Sequence, residues 1–422
     1  MDKENDIKIL MQRIGDNAKR ASKVLALSSS KQKNNALIIA AKEIRIAHLA
    51  ILEANQKDME IAKARDLAGA MLDRLMLDEE RIESIAKSIE DIAKLEDPIG
   101  DITEKNIRPN GLEISRIRVP LGVIGVIFES RPNVTADAGV LCLKSGNASI
   151  LRCGSESAHS SRMIHSCLVK GLKQAGLPEH SIQLIPTQDR SAVGELLSLA
   201  EYVDIIVPRG GKSLIARVQN DSRVPVMAHL DGICHLYIDR DADIQKAIDI
   251  TINAKLRRTG ICGSAETLLI DENIVDSHMD KILTALKKGG CEIRGDQTVT
   301  TYFAGAIEAT EEDWKTEYLD AIISVRIVAG VDGAIDHISK YGSQHTDSII
   351  TENAKNAEKF LNEVDSAIVM HNASTQYADG GEFGMGAEIG ISTGKMHARG
   401  PVGLKELTSY KYQVRGNGQT RP

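Results

Sequence analysis

The sequence predicts an α/β protein with a doubly wound parallel sheet. Short apolar runs alternate with helical stretches from about residue 123 onward, and this alternation favours parallel sheets with helices on both faces. The length of 422 residues predicts more than one domain. Because only 3% of the residues are aromatic, we expect the core to consist of Ile, Leu, Val and Ala side chains.

The first hundred residues have the periodicity of amphipathic helices. Apolar residues recur every three or four positions over residues 7–25, 37–51 and 82–95, which places them on one face of each helix. Asp78 precedes the third stretch and is a candidate N-cap. Pro98 is expected to end the helical part of the chain.

The pattern changes to strands from about residue 112. Residues 112–119 and 407–414 alternate apolar and polar side chains, as exposed or edge strands do. Buried strands are predicted at the short apolar runs, namely 123–128, 148–151, 182–185, 204–207, 236–238, 267–270 and 322–328. Helices are predicted between them, at residues 157–174, 190–200, 242–256 and 275–288.

Charge and cysteine content exclude several classes of protein. Lys and Arg total 52 against 59 Asp and Glu, so the net charge is −7, which argues against a dedicated nucleic-acid binder. No apolar run approaches the roughly 20 residues that span a bilayer. The six cysteines include no CxxC pair and no cluster with zinc spacing. We therefore expect a cytoplasmic protein with reduced thiols, no bound metal and no membrane partner.

Cys262 is the strongest candidate nucleophile in the chain. It lies between glycines in a predicted loop, whereas the other five cysteines lie in or beside apolar periodic stretches. Arg257 and Arg258 precede it, and a nearby positive charge lowers the pKa of a thiol. The alternative interpretation is an inert small residue in a turn.

A glycine turn at residues 207–213 lies between a predicted strand and a predicted helix. Such a turn presents backbone N–H groups and the positive end of a helix dipole to a phosphate. The segment is neither a Walker A loop nor a GxGxxG fingerprint. A dinucleotide bound here would therefore be held differently from one in a Rossmann fold. The alternative interpretation of this segment is an ordinary tight turn without a ligand.

A polar segment at residues 129–135 directly follows a predicted buried strand. Ligands bind at the carboxyl ends of the strands in doubly wound folds, and the amide of Asn133 could stabilise an oxyanion there. A polar loop that ends at a proline is the alternative interpretation.

His337 and His345 lie eight residues apart, which raises the question of a metal site. No third ligand has a suitable spacing. We therefore interpret both as hydrogen-bonded structural histidines.

Taken together, these segments resemble the gamma-glutamyl phosphate reductase family, the proline-biosynthesis branch of the aldehyde dehydrogenase superfamily. The resemblance runs from about residue 10 to about residue 415, and its most specific segments are 334–349, 383–393 and 397–401. The family often has Cys-Asn-Ala where this chain has Cys262-Gly263-Ser264. The backbone N–H after the cysteine is kept, whereas side-chain contacts to substrate there would differ.

The resemblance implies an aldehyde dehydrogenase-like architecture. A doubly wound, parallel-sheet cofactor domain would cover residues 1–228, with residues 366–406 returning to it. An α/β catalytic domain would cover residues 229–365. Residues 112–119 and 407–422 would form a small β oligomerisation flap in a homo-oligomer, because their alternating strands do not fit the buried parallel pattern.

The resemblance also implies an activity. It is the NADPH-dependent reduction of L-glutamyl 5-phosphate to L-glutamate 5-semialdehyde and phosphate through a thioester on Cys262, which is the second step of proline biosynthesis from glutamate. A separate glutamate 5-kinase would supply the acyl phosphate. The alternatives are a hydrolytic NAD(P)-dependent aldehyde dehydrogenase and a non-catalytic oligomeric relative.

Individual site roles follow from the same resemblance. Asn133 would polarise the thioester carbonyl, and Arg152 would contact the adenosine ribose or the 2′-phosphate of NADP. His229 stands where hydrolytic relatives have a glutamate general base. The helix start that faces the pyrophosphate would consist of Arg209, Gly210, Gly211, Lys212 and Ser213.

The departing phosphate requires positive charge near Cys262. By sequence context the candidates for this substrate contact are Arg131, Arg257 and Arg258.

Overall fold

The fold was analysed in a computed structural model that describes residues 3–67 and 69–421. The chain forms two compact units. The first contains the described residues up to Ala228, together with Met385–Gly390 and the described residues from Val402 onward. The second contains His229–Gly384 and Ile391–Pro401.

Helices dominate the N-terminal hundred residues, as the periodicity predicts. Asp78 caps α5, since its carboxylate accepts a hydrogen bond from the N–H of Arg81 at 2.7 Å. None of the described helices is both long and apolar enough to cross a membrane. In chain order the helices are α1 (Lys3–Leu25), α2 (Ser30–Ile46), α3 (His48–Ala64), α4 (Gly69–Leu75), α5 (Glu79–Lys94), α6 (Val134–Lys144), α7 (Ala158–Gln174), α8 (Ser191–Ser198), α9 (Lys212–Asp221), α10 (Ile244–Leu256), α11 (Asp280–Lys288), α12 (Gln297–Tyr302), α13 (Gly330–Tyr341) and α14 (Ala354–Glu363).

The strands confirm the predicted buried runs and add several that the pattern did not reveal. In chain order they are β1 (Ile102–Ile107), β2 (Glu113–Pro120), β3 (Val123–Phe128), β4 (Ala148–Cys153), β5 (Ile182–Leu184), β6 (Ile205–Arg209), β7 (Cys234–Ile238), β8 (Ala265–Asp271), β9 (Glu292–Gly295), β10 (Ile307–Glu308), β11 (Ile322–Val328), β12 (Thr346–Ile350), β13 (Ile368–His371), β14 (Ile391–Ser392), β15 (Gly400–Pro401) and β16 (Thr408–Arg415).

Each unit is built on a parallel sheet, so the predicted α/β class is confirmed. Within the described residues, the first unit has a four-stranded parallel sheet in the order β5-β4-β3-β6. The second unit has a seven-stranded parallel sheet in the order β10-β9-β11-β8-β7-β12-β13. Both orders place the first strand of the sheet in its interior, which right-handed crossovers on both sides produce.

The two segments with alternating polarity pair with each other in the first unit. Strands β2 and β16 are antiparallel neighbours, and β1 adds to the other edge of β2. All six residues of β1 are exposed, so it lacks the apolar signal by which a strand is recognised. The sequence pattern missed β1 for this reason.

Helix α6 and strand β12 were missed for opposite reasons. Ten of the eleven residues of α6 are buried and most of them are apolar, so the helix has no amphipathic period. Strand β12 contains Asp347 and Ser348, yet all of its residues are buried. Asp347 accepts a hydrogen bond from the ring of His235 at 2.8 Å, and such a partner allows a polar side chain to be buried in the core.

The large sheet of the second unit packs on an aliphatic core. Its main cluster consists mostly of Ile, Leu, Val and Ala side chains. Met279, Cys291 and one aromatic residue, Phe303, complete its described buried members. Strands β7, β8 and β11 contribute from the centre of the sheet. This composition agrees with the low aromatic content of the sequence.

His337 is a structural histidine, as the sequence analysis proposed. Its imidazole is 4% exposed and packs against His235, Trp314 and Tyr341. Arg326 donates to its Nδ1 at 3.2 Å, so the ring is neutral with its lone pair on Nδ1. Burial, together with the positive charge of neighbouring groups, lowers the pKa of His337 to about 2.

This shift predicts a measurable pH dependence of stability. The folded-state pKa lies below the unfolded value of about 6.5, so the stabilisation is complete above pH 6.5 and is lost as the pH falls below it. The His337→Asn variant keeps an acceptor for Arg326 but does not titrate. Between pH 7.5 and pH 5.5 the free energy of unfolding should therefore fall further for the wild type than for this variant, by about 1.4 kcal/mol.

Chemical denaturation at the two pH values provides the measurement. The exposed His180 provides the control, since His180→Asn should keep the wild-type pH dependence. Equal pH dependence in the wild type and His337→Asn would contradict the assignment.

Candidate active site

Cys262 lies in the loop that joins α10 to β8 in the second unit. Its thiol is partly exposed, whereas the other five cysteines are buried. Burial raises the pKa of those five thiols above their ordinary value. Cys262 is therefore the cysteine whose exposure fits a nucleophile.

The backbone of Gly232 approaches the backbone of Cys262 closely. A Cβ atom at position 232 would lie 2.7 Å from Cα of Cys262 and closer still to its carbonyl oxygen. The thiol of Cys234 donates to the same carbonyl oxygen at 3.1 Å. The segment before β7 therefore holds the cysteine loop in place, and it needs glycine at position 232.

Gln376 holds the start of the cysteine loop by hydrogen bonds within the second unit. Its Nε2 donates to the carbonyl oxygens of Ala254 at 2.9 Å and Arg258 at 3.3 Å. Its Oε1 accepts from Nη1 of Arg257 at 3.3 Å. Both arginines are exposed at this loop, so the structure keeps positive charge in the same loop as Cys262.

Two histidines lie beside the Cys262 thiol. One ring nitrogen of His229, one of His345 and Sγ of Cys262 all lie within 4.8 Å of one another. The two imidazoles also contact edge to face, with their centroids 4.9 Å apart. The interpretation of His345 as a purely structural histidine is therefore incomplete, because strand β12 begins beside the cysteine loop.

Hydrogen bonds define the tautomer of His229 and the orientation of both rings. Nδ1 of His229 lies 2.9 Å from the carbonyl oxygen of Ile391, and a carbonyl only accepts, so Nδ1 carries the proton and Nε2 the lone pair. Nδ1 of His345 lies 2.9 Å from Oγ1 of Thr346. Its Nε2 is buried and has no hydrogen-bond partner among the described residues.

A second group of predicted residues meets in the first unit, at the carboxyl ends of β3 and β6. The N–H of Glu129 donates to the carbonyl oxygen of Arg209 at 3.1 Å. The Glu129 carboxylate accepts from the N–H of Gly211 at 3.1 Å, directly before α9 begins at Lys212. The structure thus joins the polar segment and the glycine turn, and it shows that this helix start binds a carboxylate.

The polar segment turns sharply after β3. Ser130 has a φ of 46°, in the left-handed region that non-glycine residues rarely adopt. The carboxylate of Glu156 accepts from its N–H at 2.6 Å and from its hydroxyl at 3.1 Å. A strained residue held by a specific partner is typical of a functional loop.

Asn133 precedes α6 and lies beside the half-buried carboxyl group of Asp137. Its Nδ2 donates to Oδ2 of Asp137 at 2.8 Å. Burial raises the pKa of Asp137 to about 6, although the bond from Asn133 and the charge of Arg209 act in the opposite direction. The side chain of Asn133 is therefore held in one orientation.

Arg152 lies in strand β4 of the small parallel sheet, and Arg131 follows strand β3. Arg152 lies near the end of β4 and is 6% exposed, and its Nη2 donates to the carbonyl oxygen of Gln188 at 3.2 Å. Its Nε is buried and lacks a partner within residues 3–67 and 69–421. Arg131 lies in the loop between β3 and α6, in the same unit as the glycine turn.

Sequence reasoning missed several residues that organise these sites. Gly232 and Gln376 carry no chemical signal, because their role is to support a loop distant in sequence. Glu129 opens the predicted polar segment, but its contact with the glycine turn could have been recognised only if the strand order were known. These residues become visible once the sheets bring their strand ends together.

Comparison with known proteins places the chain in a family. Residues 11–307 match the model of the aldehyde dehydrogenase family. The gamma-glutamyl phosphate reductase of Allorhizobium ampelinum is 58% identical over 421 residues, covering 100% of this chain and 99% of that protein. The gamma-glutamyl phosphate reductase of Brucella suis biovar 1 is 60% identical over 417 residues, covering 99% of each.

A solved structure agrees with this assignment. The crystal structure of gamma-glutamyl phosphate reductase from Thermotoga maritima matches with a TM-score of 0.96 and 44% identity, covering 98% of this chain and 100% of that one. The predicted aldehyde dehydrogenase-like fold and the family resemblance are both confirmed. The chain belongs to the aldehyde dehydrogenase family, within its gamma-glutamyl phosphate reductase branch.

Proposed function

We propose that this oxidoreductase reduces L-glutamyl 5-phosphate to L-glutamate 5-semialdehyde and phosphate with NADPH, as the second step of proline biosynthesis from glutamate. The full-length identity of 58–60% to gamma-glutamyl phosphate reductases carries this proposal. The partly exposed Cys262 thiol between two imidazoles supports the chemistry.

The Cys262 thiolate attacks the acyl carbon of the substrate. The new S–C bond replaces the bond to the phosphate oxygen, phosphate leaves, and a thioester remains on the protein. An imidazole nitrogen within 4.8 Å of Sγ can accept the thiol proton. After reduction, the thiohemiacetal collapses, releases the semialdehyde and restores the thiol.

Negative charge develops on the acyl oxygen in both halves of the reaction. We assign its stabilisation to the amide of Asn133 and the backbone N–H of Cys262. The fixed orientation of Asn133 against Asp137 supports this role, because an oriented donor needs little reorganisation when charge develops.

The residues of the first unit fit a nicotinamide dinucleotide. The turn at Gly210 and Gly211 starts a ten-residue helix and already binds a carboxylate, so it is suited to the pyrophosphate together with Arg209, Lys212 and Ser213. Arg152, whose buried Nε lacks a partner in the described chain, is assigned to the 2′-phosphate. When bound, NADPH supplies the hydride.

Phosphate rather than water is the second substrate of the reverse reaction. Hydrolytic relatives need a carboxylate base, whereas the residue beside the thiol here is His229. We assign the phosphate contacts to Arg131, Arg257 and Arg258. The exposed arginines of the cysteine loop support this assignment.

The remaining proposals concern organisation. We assign cofactor binding to the first unit, catalysis to the second, and homo-oligomer formation to the sheet of β1, β2 and β16. A separate glutamate 5-kinase supplies the labile acyl phosphate. A cytoplasmic location is supported by the six free cysteines, since free thiols persist in a reducing compartment.

The first prediction about function tests the nucleophile. Cys262→Ala should lower kcat by at least about 10³-fold while the melting temperature and NADPH binding stay unchanged, because the substitution removes one sulfur from a loop. Steady-state kinetics and fluorescence titration provide the measurements. Iodoacetamide should label Cys262 faster than the other cysteines.

Cys291→Ala is the matched control, because it removes a buried thiol from the same unit. This variant should keep its activity. A fully active Cys262→Ala enzyme would exclude the covalent mechanism.

The second prediction tests the cofactor assignment. Arg152→Gln keeps a donor for the Gln188 carbonyl but removes the charge, so the Kd for NADPH should rise about 10–100-fold and the Kd for NADH far less. Arg162→Gln is the control, since the exposed Arg162 also donates to one backbone carbonyl, that of Pro186. Equal losses for both cofactors would show that Arg152 does not contact the 2′-phosphate.

The third prediction separates the reductase from a hydrolytic dehydrogenase. Without the carboxylate base that activates water in hydrolytic relatives, the wild-type enzyme should oxidise glutamate semialdehyde at least about 100-fold more slowly without phosphate than with saturating phosphate. His229→Glu should raise the phosphate-free rate, because it places a carboxylate beside the thioester. NADP reduction measured at zero and saturating phosphate gives both rates.

Fast phosphate-free oxidation by the wild type would contradict the proposed function. It would support the hydrolytic aldehyde dehydrogenase instead.

A further inference from the structure

We propose that His229, Cys262 and His345 form a binding site for a divalent zinc-type cation. One thiolate and two imidazoles are a donor set that Zn²⁺ and its relatives prefer. Their ligand atoms already lie within 4.8 Å of one another. All three residues belong to the second unit.

The spacing of the three ligand atoms is close to that of a tetrahedral site. Zinc bonds of about 2.0–2.3 Å place ligand atoms about 3.3–3.6 Å apart. Ligand atoms within 4.8 Å of one another therefore need to approach by at most about 1.5 Å, which rotation of the partly exposed Cys262 and His229 side chains can supply. Three protein ligands leave a fourth position for water or substrate.

One hydrogen bond decides which nitrogen of His229 can act as a metal ligand. The Ile391 carbonyl holds the proton of His229 on Nδ1, so its lone pair is on Nε2. A histidine that ligates a metal characteristically donates its other ring N–H to such a carbonyl. The arrangement therefore has the supporting contact that a zinc site requires.

His345 provides an independent observation. Its side chain is 0% exposed, and its buried Nε2 has no hydrogen-bond partner among the described residues. Its other nitrogen lies 2.9 Å from Oγ1 of Thr346 and 3.6 Å from Sγ of Cys234. A bound cation would satisfy a buried nitrogen that otherwise carries an energetic cost.

The site has no linear signature in the chain. Its ligands are separated by 33 and 83 residues, obtained from positions 229, 262 and 345, so a search for zinc spacing does not find them. Three distant segments, before β7, before β8 and at β12, create the site.

Metal binding would occupy the thiolate and reversibly block the enzyme. This consequence for activity rests on the proposed function, whereas the binding itself does not. Bound metal would also protect Cys262 from alkylation, because the sulfur lone pair is then shared with the cation.

Titration of the chelator-treated full-length protein with Co²⁺ tests the site. One equivalent should produce a thiolate-to-Co²⁺ charge-transfer band and the strong visible bands of a tetrahedral ion. Added Zn²⁺ should displace the Co²⁺ and remove all of these bands. Cys262→Ser should abolish the charge-transfer band. His229→Ala and His345→Leu should each weaken Co²⁺ binding by at least about tenfold.

Controls separate loss of a ligand from loss of the fold. His371→Asn alters an exposed histidine of the same unit and should bind Co²⁺ like the wild type. Should His345→Leu fail to fold, the wild-type protein still gives an answer, because Zn²⁺ should slow iodoacetamide labelling of Cys262 at least about tenfold.

The outcomes are distinct from those of the functional tests. Absence of the charge-transfer band, or a band that persists in Cys262→Ser, would overturn the metal site and leave the reductase assignment intact. A metal-binding protein whose Cys262→Ala variant remains active would overturn the covalent mechanism and leave the site intact.

Discussion

A Cβ atom at position 232 would lie 2.7 Å from Cα of Cys262, so the two backbones can meet only because residue 232 is glycine. This approach holds the cysteine loop against the start of β7, and Gln376 holds the beginning of the same loop. The position of the thiol thus depends on backbone contacts rather than on the packing of its own side chain. A partly exposed sulfur can then be both accessible and well positioned, which nucleophilic catalysis requires.

The surroundings of this sulfur explain how one geometry can serve two purposes. His229 and His345 lie beside Sγ, and the proton of His229 is held away from it by the Ile391 carbonyl. Nearby imidazole nitrogens can accept the thiol proton before attack on an acyl phosphate. The same nitrogen and sulfur lone pairs suit a soft divalent cation. Nucleophilic reactivity and metal affinity therefore have a common origin here, because both depend on lone pairs concentrated at one point.

The first unit uses the general property of parallel sheets that adjacent strands end at the same edge. The ends of β3 and β6 bring Glu129 and the turn at Gly211 together, and helix α9 starts there. The Glu129 carboxylate at this helix start shows that the local field attracts anions. Arg152, at the end of the neighbouring β4, adds a buried positive charge to the same unit.

The sequence by itself determined the α/β class, most of the central strands and the N-cap Asp78, since these depend on local patterns of polarity. The residues that neighbour Cys262 also made it the candidate nucleophile. Strands with unusual exposure were hidden, because β1 is exposed throughout and β12 buries Asp347 and Ser348, whose partners are His235 and the carbonyl oxygen of Ala373. Only the tertiary structure brought His229 and His345 to the thiol, and only it gave Gly232 and Gln376 a role. Contacts between segments separated by tens of residues leave no periodic trace in a chain, because they are created by the order of strands in the sheet.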